Sequence, residues 1–578
     1  MLLWSSRVPT THMAVVVAVV AMVCMVCMQG VGVAAQLNIN FEAWQMEKDG
    51  TLTFPERSLK HVMQRPNAGI AFTGGGTRSF LATIGYLAGL HEAGLLPNVR
   101  YVSGVSGGAW GTCAYMYAST AQGNDTQLLG PIMEPQHMTM KNLKHIDPEC
   151  VRGGPVNKDF AWHAVENFFN PLVHGRDVWF KSVNDVYFKP YGVPDNKYPA
   201  ASTETIQRIV DRNPALTVSD FALPRPNRPF WIAGISYIGP EKLSPFKESN
   251  RSYTITEGTP LYVGQPYTRD VTYTSSKGHT QTHTVGGYMD TFAFGSAAPS
   301  TGLTGANGTL HSTTIADRSL SPARIASMSS FAAGALLSDL PNFAARGLDP
   351  IFNTWSPSLP APDTDAVEGL YGDGGNTENV HLIGLLQRRV PNIILFFNNM
   401  QALNSTFDPM QRNVTETDMT DDLPTFFGIN PAAHDTPLWD IHRNQVFPKK
   451  DFARVIKGLT AAQVGGNGTF FRTELETVEN KWYGVKAGFR ANVTWVYLSR
   501  TLEWERRLPA DLRKAVQPKH GADNPTNLPD SGHFKNFPNI NTYLQLYPSA
   551  EMANMIADMC GWVVKNNVDA FKTALGMY

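Results

Sequence analysis

The sequence predicts an α/β fold in which helices cover a central, mainly parallel sheet and an inserted cap region interrupts the chain. Two strand–turn–helix units near the start of the sequence, at 68–93 and 99–118, carry this prediction. In each unit a short apolar run leads through a glycine turn into a helical pattern, as in parallel sheets with covering helices. A third strand-like run ends in Asp373-Gly374-Gly375, ahead of a predicted helix and an apolar strand.

The two units divide into four predicted elements. Ala68–Thr73 is a short apolar strand, and Ser79–Ala93 is a helix that Gly94 ends. Val99–Ser103 is the second strand, and Gly107–Ala118 is the second helix. Because both helices begin at glycine turns, the polar groups of these turns should gather at one edge of the sheet.

The middle of the chain departs from this regular pattern. Residues 128–228 are rich in Pro, Asn and aromatic side chains, which favours an insertion or cap. Pro229–Ile238 predicts another core strand, and the alternation over Tyr253–Val285 predicts short antiparallel strands. Leu37–Pro66 is predicted to be irregular, and Ser300–Thr314 to be a surface loop.

The last third of the chain returns to core elements. Glu378–Arg389 predicts a helix and Val390–Phe397 a buried strand, whereas Asn404–Pro448 is polar and irregular. Ala550–Leu575 predicts a terminal helix with one apolar stripe. Without an internal repeat, residues 36–578 are interpreted as a single domain.

Composition excludes several classes of protein. The 578 residues are 43% hydrophobic, which is typical of a folded chain with a large core. With 48 basic and 49 acidic residues, the net charge is −1. The sequence therefore has no excess of positive charge that would predict binding to nucleic acid. No Cys/His cluster has zinc-ligand spacing, and we expect neither a metal nor a cofactor.

The N-terminus has the pattern of a targeting segment. Arg7 precedes an apolar run over Met13–Cys27, and Val33-Ala34-Ala35 precedes Gln36 as a cleavage site would. The sequence therefore predicts a signal peptide over 1–35, with an uncleaved anchor as the alternative. A secretory route, to the outside or to a lysosome-like lumen, would allow glycosylation at seven Asn-x-Ser/Thr sites: Asn124, Asn250, Asn307, Asn404, Asn413, Asn467 and Asn492.

Ser106 lies in a Gly-x-Ser-x-Gly turn between the second predicted strand and helix. This elbow comprises Gly104, Ser106, Gly107 and Gly108. A tight strand-to-helix turn exposes the serine hydroxyl, and only small neighbours fit around it. The pattern is typical of a serine nucleophile, which also needs a base within hydrogen-bond reach.

The glycine loop, Gly74–Gly76, offers a second chemical feature at the first helix N-terminus. Its bare backbone N–H groups and the positive end of the helix dipole suit a developing oxyanion. Arg78 follows directly, and its guanidinium could bind a phosphate in bidentate fashion.

Together these motifs resemble the patatin and cytosolic phospholipase A2 superfamily, which includes the fungal lysophospholipases. The matching blocks are Gly-Gly-Gly-Thr-Arg at 74–78, Gly-Val-Ser-Gly-Gly at 104–108 and Asp-Gly-Gly at 373–375. The resemblance implies a patatin-like three-layer sandwich that hydrolyses acyl esters of phospholipids or lysophospholipids at a membrane or micelle interface. It implies a dyad of Ser106 and Asp373 acting through an acyl-enzyme.

The resemblance also assigns roles around the dyad. It implies Gly75 and Gly76 as oxyanion donors and Arg78 as the contact for the lipid phosphate. Members of the cytosolic group carry a separate calcium-dependent docking domain, but Gly74 follows Gln36 too closely for one. We therefore expect no such domain in this sequence.

Two other functions remain open from sequence. An α/β-hydrolase triad would run from Ser106 through Asp373 to a late histidine, with His434, His442, His520 and His533 as candidates. Alternatively, the chain could be a catalytically inactive lipid-binding glycoprotein of the same fold.

Overall fold

The computed structural model describes residues 38–46, 53–169, 177–247, 252–299, 301–313, 319–332, 350–359, 366–430, 440–542 and 547–577. The predicted signal peptide, Asn250 and His434 lie outside these residues. No helix in the described ranges is long and apolar enough to span a bilayer.

The described residues form fifteen strands. In chain order they are β1 Ile39–Trp44, β2 Ala68–Phe72, β3 Tyr101–Val105, β4 Tyr198–Pro199, β5 Phe221–Ala222, β6 Phe230–Pro240, β7 Thr254–Gly258, β8 Tyr262–Thr274, β9 Thr280–Asp290, β10 Asn307–Ser312, β11 Ile351–Thr354, β12 Val367–Asp373, β13 Asn392–Phe397, β14 Phe470–Glu476 and β15 Arg490–Tyr497.

Seventeen α-helices lie in the same ranges. They are α1 Lys60–Met63, α2 Gly76–Glu92, α3 Gly107–Tyr117, α4 Asp125–Leu129, α5 Met140–Leu143, α6 Gly154–Asn157, α7 Phe160–Phe169, α8 Val178–Val183, α9 Thr203–Arg212, α10 Pro322–Met328, α11 Leu382–Gln387, α12 Asp422–Thr425, α13 Phe452–Gly465, α14 Leu502–Arg507, α15 Ala510–Val516, α16 Ala550–Asn566 and α17 Val568–Ala574.

One large sheet organises the chain. Its order is β10-β1-β9-β8-β7-β6-β3-β2-β13-β15-β14, and β12 pairs with β6 and β11. The five central strands β6, β3, β2, β13 and β15 are parallel to one another. Antiparallel strands extend the sheet on both sides of this centre. The predicted α/β class with a parallel central sheet is confirmed.

Central strand β13 shows why the sheet is covered on both faces. Ile394 and Phe396 belong to the same apolar cluster as α2, α3 and α16. Ile393 and Leu395, which alternate with them, belong to the cluster of α11 and α13 on the other face. Successive side chains of a strand point to opposite faces, so a strand covered on both sides is apolar throughout. The result is three layers: helices, sheet and helices.

A segment predicted to be irregular and one predicted to be a surface loop each contain a strand. β1 lies within Leu37–Pro66 and β10 within Ser300–Thr314, and the two pair with each other from Ile39↔Ser312 to Trp44↔Asn307. Each segment is polar on one side, so neither carries a strong strand pattern alone. Their hydrogen bonds come from a partner distant in sequence, which local patterns do not reveal.

Two predicted helices differ in extent. The helix predicted over Glu378–Arg389 is shorter, because α11 begins only at Leu382 after a left-handed residue at His381. The terminal helix predicted over Ala550–Leu575 is divided into α16 and α17 at Asn567. The region 128–228 contains α5 to α9 and the small β4–β5 sheet. Its role as a cap stays a prediction.

Candidate active site

The predicted site residues converge at one edge of the parallel sheet. The glycine loop follows β2, the elbow follows β3, and both strands run in the same direction. β12 reaches this edge from the opposite direction, because it is antiparallel to β6. Val105 pairs with Gly234, and Asp373 pairs with the next residue, Ile235. This register brings the end of β12 beside the elbow.

The elbow is strained and tightly packed. Ser106 has φ 52° and ψ −123°, a conformation that side-chain-bearing residues rarely adopt. A Cβ atom on Gly107 would lie 2.1 Å from the carbonyl oxygen of Gly76, so only glycine permits this approach. The elbow and the glycine loop are therefore in direct backbone contact, as their predicted partnership requires.

Ser329, just after α10, joins the elbow to the turn that holds Asp373. The Ser106 N–H donates to the Ser329 carbonyl at 3.1 Å and to its Oγ at 2.9 Å. The Gly374 N–H donates to the same carbonyl at 3.0 Å. Ser329 Oγ in turn donates to the Gly234 carbonyl at 2.5 Å. One residue thus fixes the relative position of the two turns.

Asp373 is a buried carboxylate beside the Ser106 hydroxyl. Its side chain accepts a hydrogen bond from the Gly375 N–H at 2.8 Å. Burial raises the pKa of Asp373 to about 6, and the nearby charge of Asp422 adds to this effect. Hydrogen bonds from Gly375 and Ser106 lower the pKa, but only partly offset the burial. The group is therefore a stronger base than an ordinary aspartate and remains mostly ionised at neutral pH.

The glycine loop is held from two sides. Gly74 N–H donates to the Asn379 carbonyl at 3.0 Å and to its Oδ1 at 3.1 Å. Thr542 Oγ1 donates to the Gly75 carbonyl at 2.9 Å. Gly75 and Gly76 have φ values of 130° and 57°, and α2 begins at Gly76. The first N–H groups of a helix have no partner inside it, so they are suited to bind an anion.

Arg78 lines the same cavity, but protein groups hold much of its guanidinium. Its Nε donates to the Asn398 carbonyl at 2.7 Å, and its Nη1 donates to the Ile540 carbonyl at 2.6 Å. The side chain is only 4% exposed. Arg78 therefore anchors the glycine loop to the end of β13 and contributes a positive charge to the cavity.

These groups open into a cavity of about 620 Å³. One part of its wall is apolar, and this part comprises Trp110, Phe160, Trp179, Ala332, Met400, Met419 and Ile441. Another part is acidic, with Glu416, Asp421 and Asp422. The volume and mixed lining are typical of a site for a small amphipathic molecule.

Histidine is absent from the described residues that line this cavity. His442 is exposed and contacts Asp440, and His533 is also exposed and contacts Glu551. His520 is exposed as well. Across the described ranges, no group of three His, Cys, Asp or Glu side chains is arranged to hold a metal ion.

Four residues that contact the site were missed from the sequence. Ser329 and Thr542 act through hydrogen bonds to backbone groups, and Asp422 lies in a region that looked irregular. Asn379 could have been found, because it follows Asp373 by six residues within the same turn. None of the other three has a local motif.

No family profile matches this chain, but curated proteins match part of it. Over 85 residues, 14% of this chain, it is 38% identical to cytosolic phospholipase A2 delta of Homo sapiens, and the match covers 10% of that protein. Over 72 residues, 12% of this chain, it is 42% identical to cytosolic phospholipase A2 zeta of Mus musculus, covering 8% of it. The match thus spans about a tenth of each relative.

The chain is similar to the patatin and cytosolic phospholipase A2 superfamily. The resemblance predicted from the three glycine-containing motifs is thereby confirmed. A solved structure of human GIVD cytosolic phospholipase A2 aligns with this chain with a TM-score of 0.40 and 15% identity. The alignment covers 89% of this chain and 60% of the solved chain.

These relatives correct one prediction. The sequence predicted a secretory route ending outside the cell or in a lysosome-like lumen, whereas the matched relatives are named as cytosolic enzymes. The secretory localisation is therefore contradicted.

Proposed function

We propose that this chain is a serine acyl hydrolase that cleaves fatty acyl esters of phospholipids or lysophospholipids. The observation that carries the proposal is the placement of the Ser106 hydroxyl and the buried Asp373 carboxylate in one cavity wall, with the pKa of Asp373 raised to about 6. A serine hydroxyl needs a base of this kind within hydrogen-bond reach. The similarity to cytosolic phospholipases A2 supports the same reaction class.

In the first half of the reaction, Asp373 accepts the Ser106 proton while Oγ attacks the ester carbonyl carbon. The carbonyl oxygen becomes an oxyanion, which the N–H groups of Gly75 and Gly76 stabilise together with the positive end of α2. Protonated Asp373 then gives its proton to the leaving alcohol, a lysophospholipid or a glycerophosphodiester. The acyl group remains bound to Ser106 as an ester.

In the second half, Asp373 takes a proton from water, and the resulting hydroxide equivalent attacks the acyl-enzyme. The bond to Ser106 Oγ breaks, and Oγ recovers the proton from Asp373. The products are a free fatty acid and the original enzyme. Both halves use the same base and the same oxyanion donors, so removal of either should stop turnover.

The lining of the cavity supports a lipid substrate. Its apolar wall, which includes Trp110 and Trp179, can accommodate an acyl chain. Arg78 supplies the positive charge for a lipid phosphate, although two of its nitrogen atoms also bind backbone carbonyls. The substrate is proposed to enter from a membrane or micelle surface. The triad has no comparable supporting observation, because the described cavity wall contains no histidine.

The test is release of fatty acid from phosphatidylcholine and lysophosphatidylcholine by the purified protein. Ser106→Ala and Asp373→Asn should each lower kcat/KM by a factor of about 10⁴ or more, because each removes a partner of the dyad. Exposed Ser531 and Asp569 provide matched controls, Ser531→Ala and Asp569→Asn, which should retain full activity.

Two outcomes would contradict the proposal. Full turnover by the folded Asp373→Asn variant would exclude this group as the base. Loss of turnover in His442→Ala, His520→Ala or His533→Ala, with loss of fluorophosphonate labelling at Ser106, would favour the triad.

A further inference from the structure

Asp422 and Asn379 form a hydrogen-bonded pair between the glycine loop and the turn that holds Asp373. We propose that Asp422 is a positioning residue that fixes the side-chain amide of Asn379, and through it the glycine loop. The proposal rests on the proposed function, because it assigns a task within the same site.

The pair is defined by two contacts of one amide group. Asn379 Nδ2 donates to Asp422 Oδ2 at 2.9 Å, and Asn379 Oδ1 accepts the Gly74 N–H at 3.1 Å. A Cβ atom on Gly74 would lie 2.3 Å from Asn379 Oδ1, so the amide is packed directly against the loop. Asn379 therefore connects a carboxylate on α12 to the residue that precedes the two proposed oxyanion donors.

Asp422 decides which end of the Asn379 amide meets the loop. An amide has a donor end and an acceptor end, whereas an ionised carboxylate only accepts hydrogen bonds. In the opposite orientation, Nδ2 would face the Gly74 N–H and Oδ1 would face the carboxylate. Both contacts would then be repulsive. An acceptor at position 422 is thus required to keep Oδ1 against the glycine loop.

Asp422 is itself held as an acceptor. It is 9% exposed, and it receives further hydrogen bonds at 3.2 Å from Asn399 Nδ2 and Thr420 Oγ1. These contacts fix the position of its carboxylate independently of Asn379. The Asp422–Asn379 pair is therefore a preformed part of the cavity wall.

The charge of Asp422 also acts on the base. It is one of the influences that raise the pKa of Asp373. Other charged or titratable groups lie near these two carboxylates: Arg78, Glu416 and Asp421 in the cavity wall, and Tyr497 at the end of β15, which interacts with the charge of Asp422. Removal of the Asp422 charge should make Asp373 more acidic, because a like charge nearby disfavours ionisation.

Asp422→Asn tests both effects. Asn at this position has no charge and can turn a donor toward Asn379, so the orientation of the Asn379 amide is held less firmly, by one carbonyl oxygen that also accepts from Asn399 and Thr420. We expect kcat for a p-nitrophenyl acyl ester to fall about tenfold, with KM changed less than about twofold, because oxyanion donors act in the transition state. In the profile of kcat/KM against pH, the acid limb, where activity falls as Asp373 is protonated, should move to lower pH. Asp569→Asn, an exposed control, should leave kcat and the limb unchanged.

Exchanging the two side chains distinguishes loss of the hydrogen bond between positions 379 and 422 from a general structural effect of either substitution. Asn379→Asp alone places two carboxylates face to face and should lower kcat at least as much as Asp422→Asn. The double variant Asn379→Asp/Asp422→Asn restores one donor and one acceptor, and Asp at 379 still accepts the Gly74 N–H. The Asn399 amide must then turn its Oδ1, which has no hydrogen bond in the described residues, toward Nδ2 at position 422. It should recover kcat to within about threefold of wild type. Its acid limb should lie above that of the wild type, because the charge is then beside Asp373.

Three results would overturn the proposal: unchanged kcat and limb in folded Asp422→Asn, unchanged kcat in Asn379→Asp, or no recovery in the double variant. If Asp422→Asn does not fold, the other two variants decide the question alone. Failure of the proposed function is distinct, because the wild type itself would then release no p-nitrophenol.

Discussion

Asp373 and Glu257 are two buried carboxylates on the same sheet, and their pKa values are shifted in opposite directions. Burial raises the pKa of both. At Glu257 the Arg388 guanidinium outweighs burial and holds the pKa at about 2, donating through Nη1 and Nη2 at 2.7 and 2.6 Å. Among the described residues, the Gly375 N–H and the Ser106 hydroxyl partly offset burial at Asp373, and its pKa is raised to about 6.

The difference separates a structural carboxylate from a candidate base. A carboxylate paired with arginine is a weak base, because the cation stabilises its ionised form. Asp373 lies in the same cavity as Arg78, yet Arg78 contacts the Asn398 and Ile540 carbonyls. The fold thus keeps a positive charge close to the site while Asp373 stays basic enough to accept a proton from Ser106.

The largest expected stability effect is at Glu257. Glu257→Gln removes one of the two buried carboxylates that pair with Arg388, the other being Glu56. From the lowered pKa of Glu257 we expect the free energy of unfolding to fall by about 3 kcal/mol at pH 7. The pKa of Glu257 is about 2 in the folded protein. The stability loss caused by the substitution should therefore shrink as the pH falls below the pKa of Glu257 in the unfolded chain and approaches 2. Denaturant unfolding measures it, with exposed Glu474→Gln as control. A loss below about 1 kcal/mol would show that this pair is not a structural ion pair.

Asp373→Asn should have the opposite effect on stability. The folded pKa of Asp373 is raised, so the wild type loses stability as pH rises from 3.8 to about 6. The neutral variant escapes this cost and should be more stable by about 1–3 kcal/mol at pH 8, with no gain at pH 3. Urea unfolding at the two pH values checks the difference. A variant less stable than the wild type at pH 8 would contradict an uncompensated charge at this position.

The smallest predicted effect concerns the glycine loop. Thr542→Val removes the hydrogen bond to the Gly75 carbonyl, and the loss of about 1 kcal/mol should lower kcat about fivefold. Thr542→Ser retains the hydroxyl and should keep wild-type kcat. Steady-state kinetics on a p-nitrophenyl ester provide the measurement. Wild-type kcat in Thr542→Val, with a fall only in Thr542→Ser, would assign the effect to packing of the methyl group rather than to the hydrogen bond.

The centre of the fold was predictable from sequence because its signals are local. Apolar runs such as Val390–Phe397 identify buried parallel strands, and glycine turns mark where each strand becomes a helix. The elbow at Ser106 and the glycine loop were found for the same reason. Their strain and close backbone contacts restrict them to particular residues, and this restriction is visible in the sequence.

The supports of the site were not predictable, because they depend on contacts between distant segments. Ser329 joins the elbow to the Asp373 turn through its carbonyl, which every residue possesses. Asp422 lies in a polar, proline-dotted stretch where nothing local distinguishes it. β1 and β10 likewise gain their strand conformation from each other.

The rate at which a fluorophosphonate labels Ser106, measured against pH, tests the central claim most directly. The reagent reacts with the activated serine, so the rate reports the base in the free enzyme. We predict a rate that is half-maximal near pH 6, with the label located on Ser106 by mass spectrometry and absent from Asp373→Asn. A rate that is constant from pH 4 to 8, or labelling that persists in Asp373→Asn, would contradict the account.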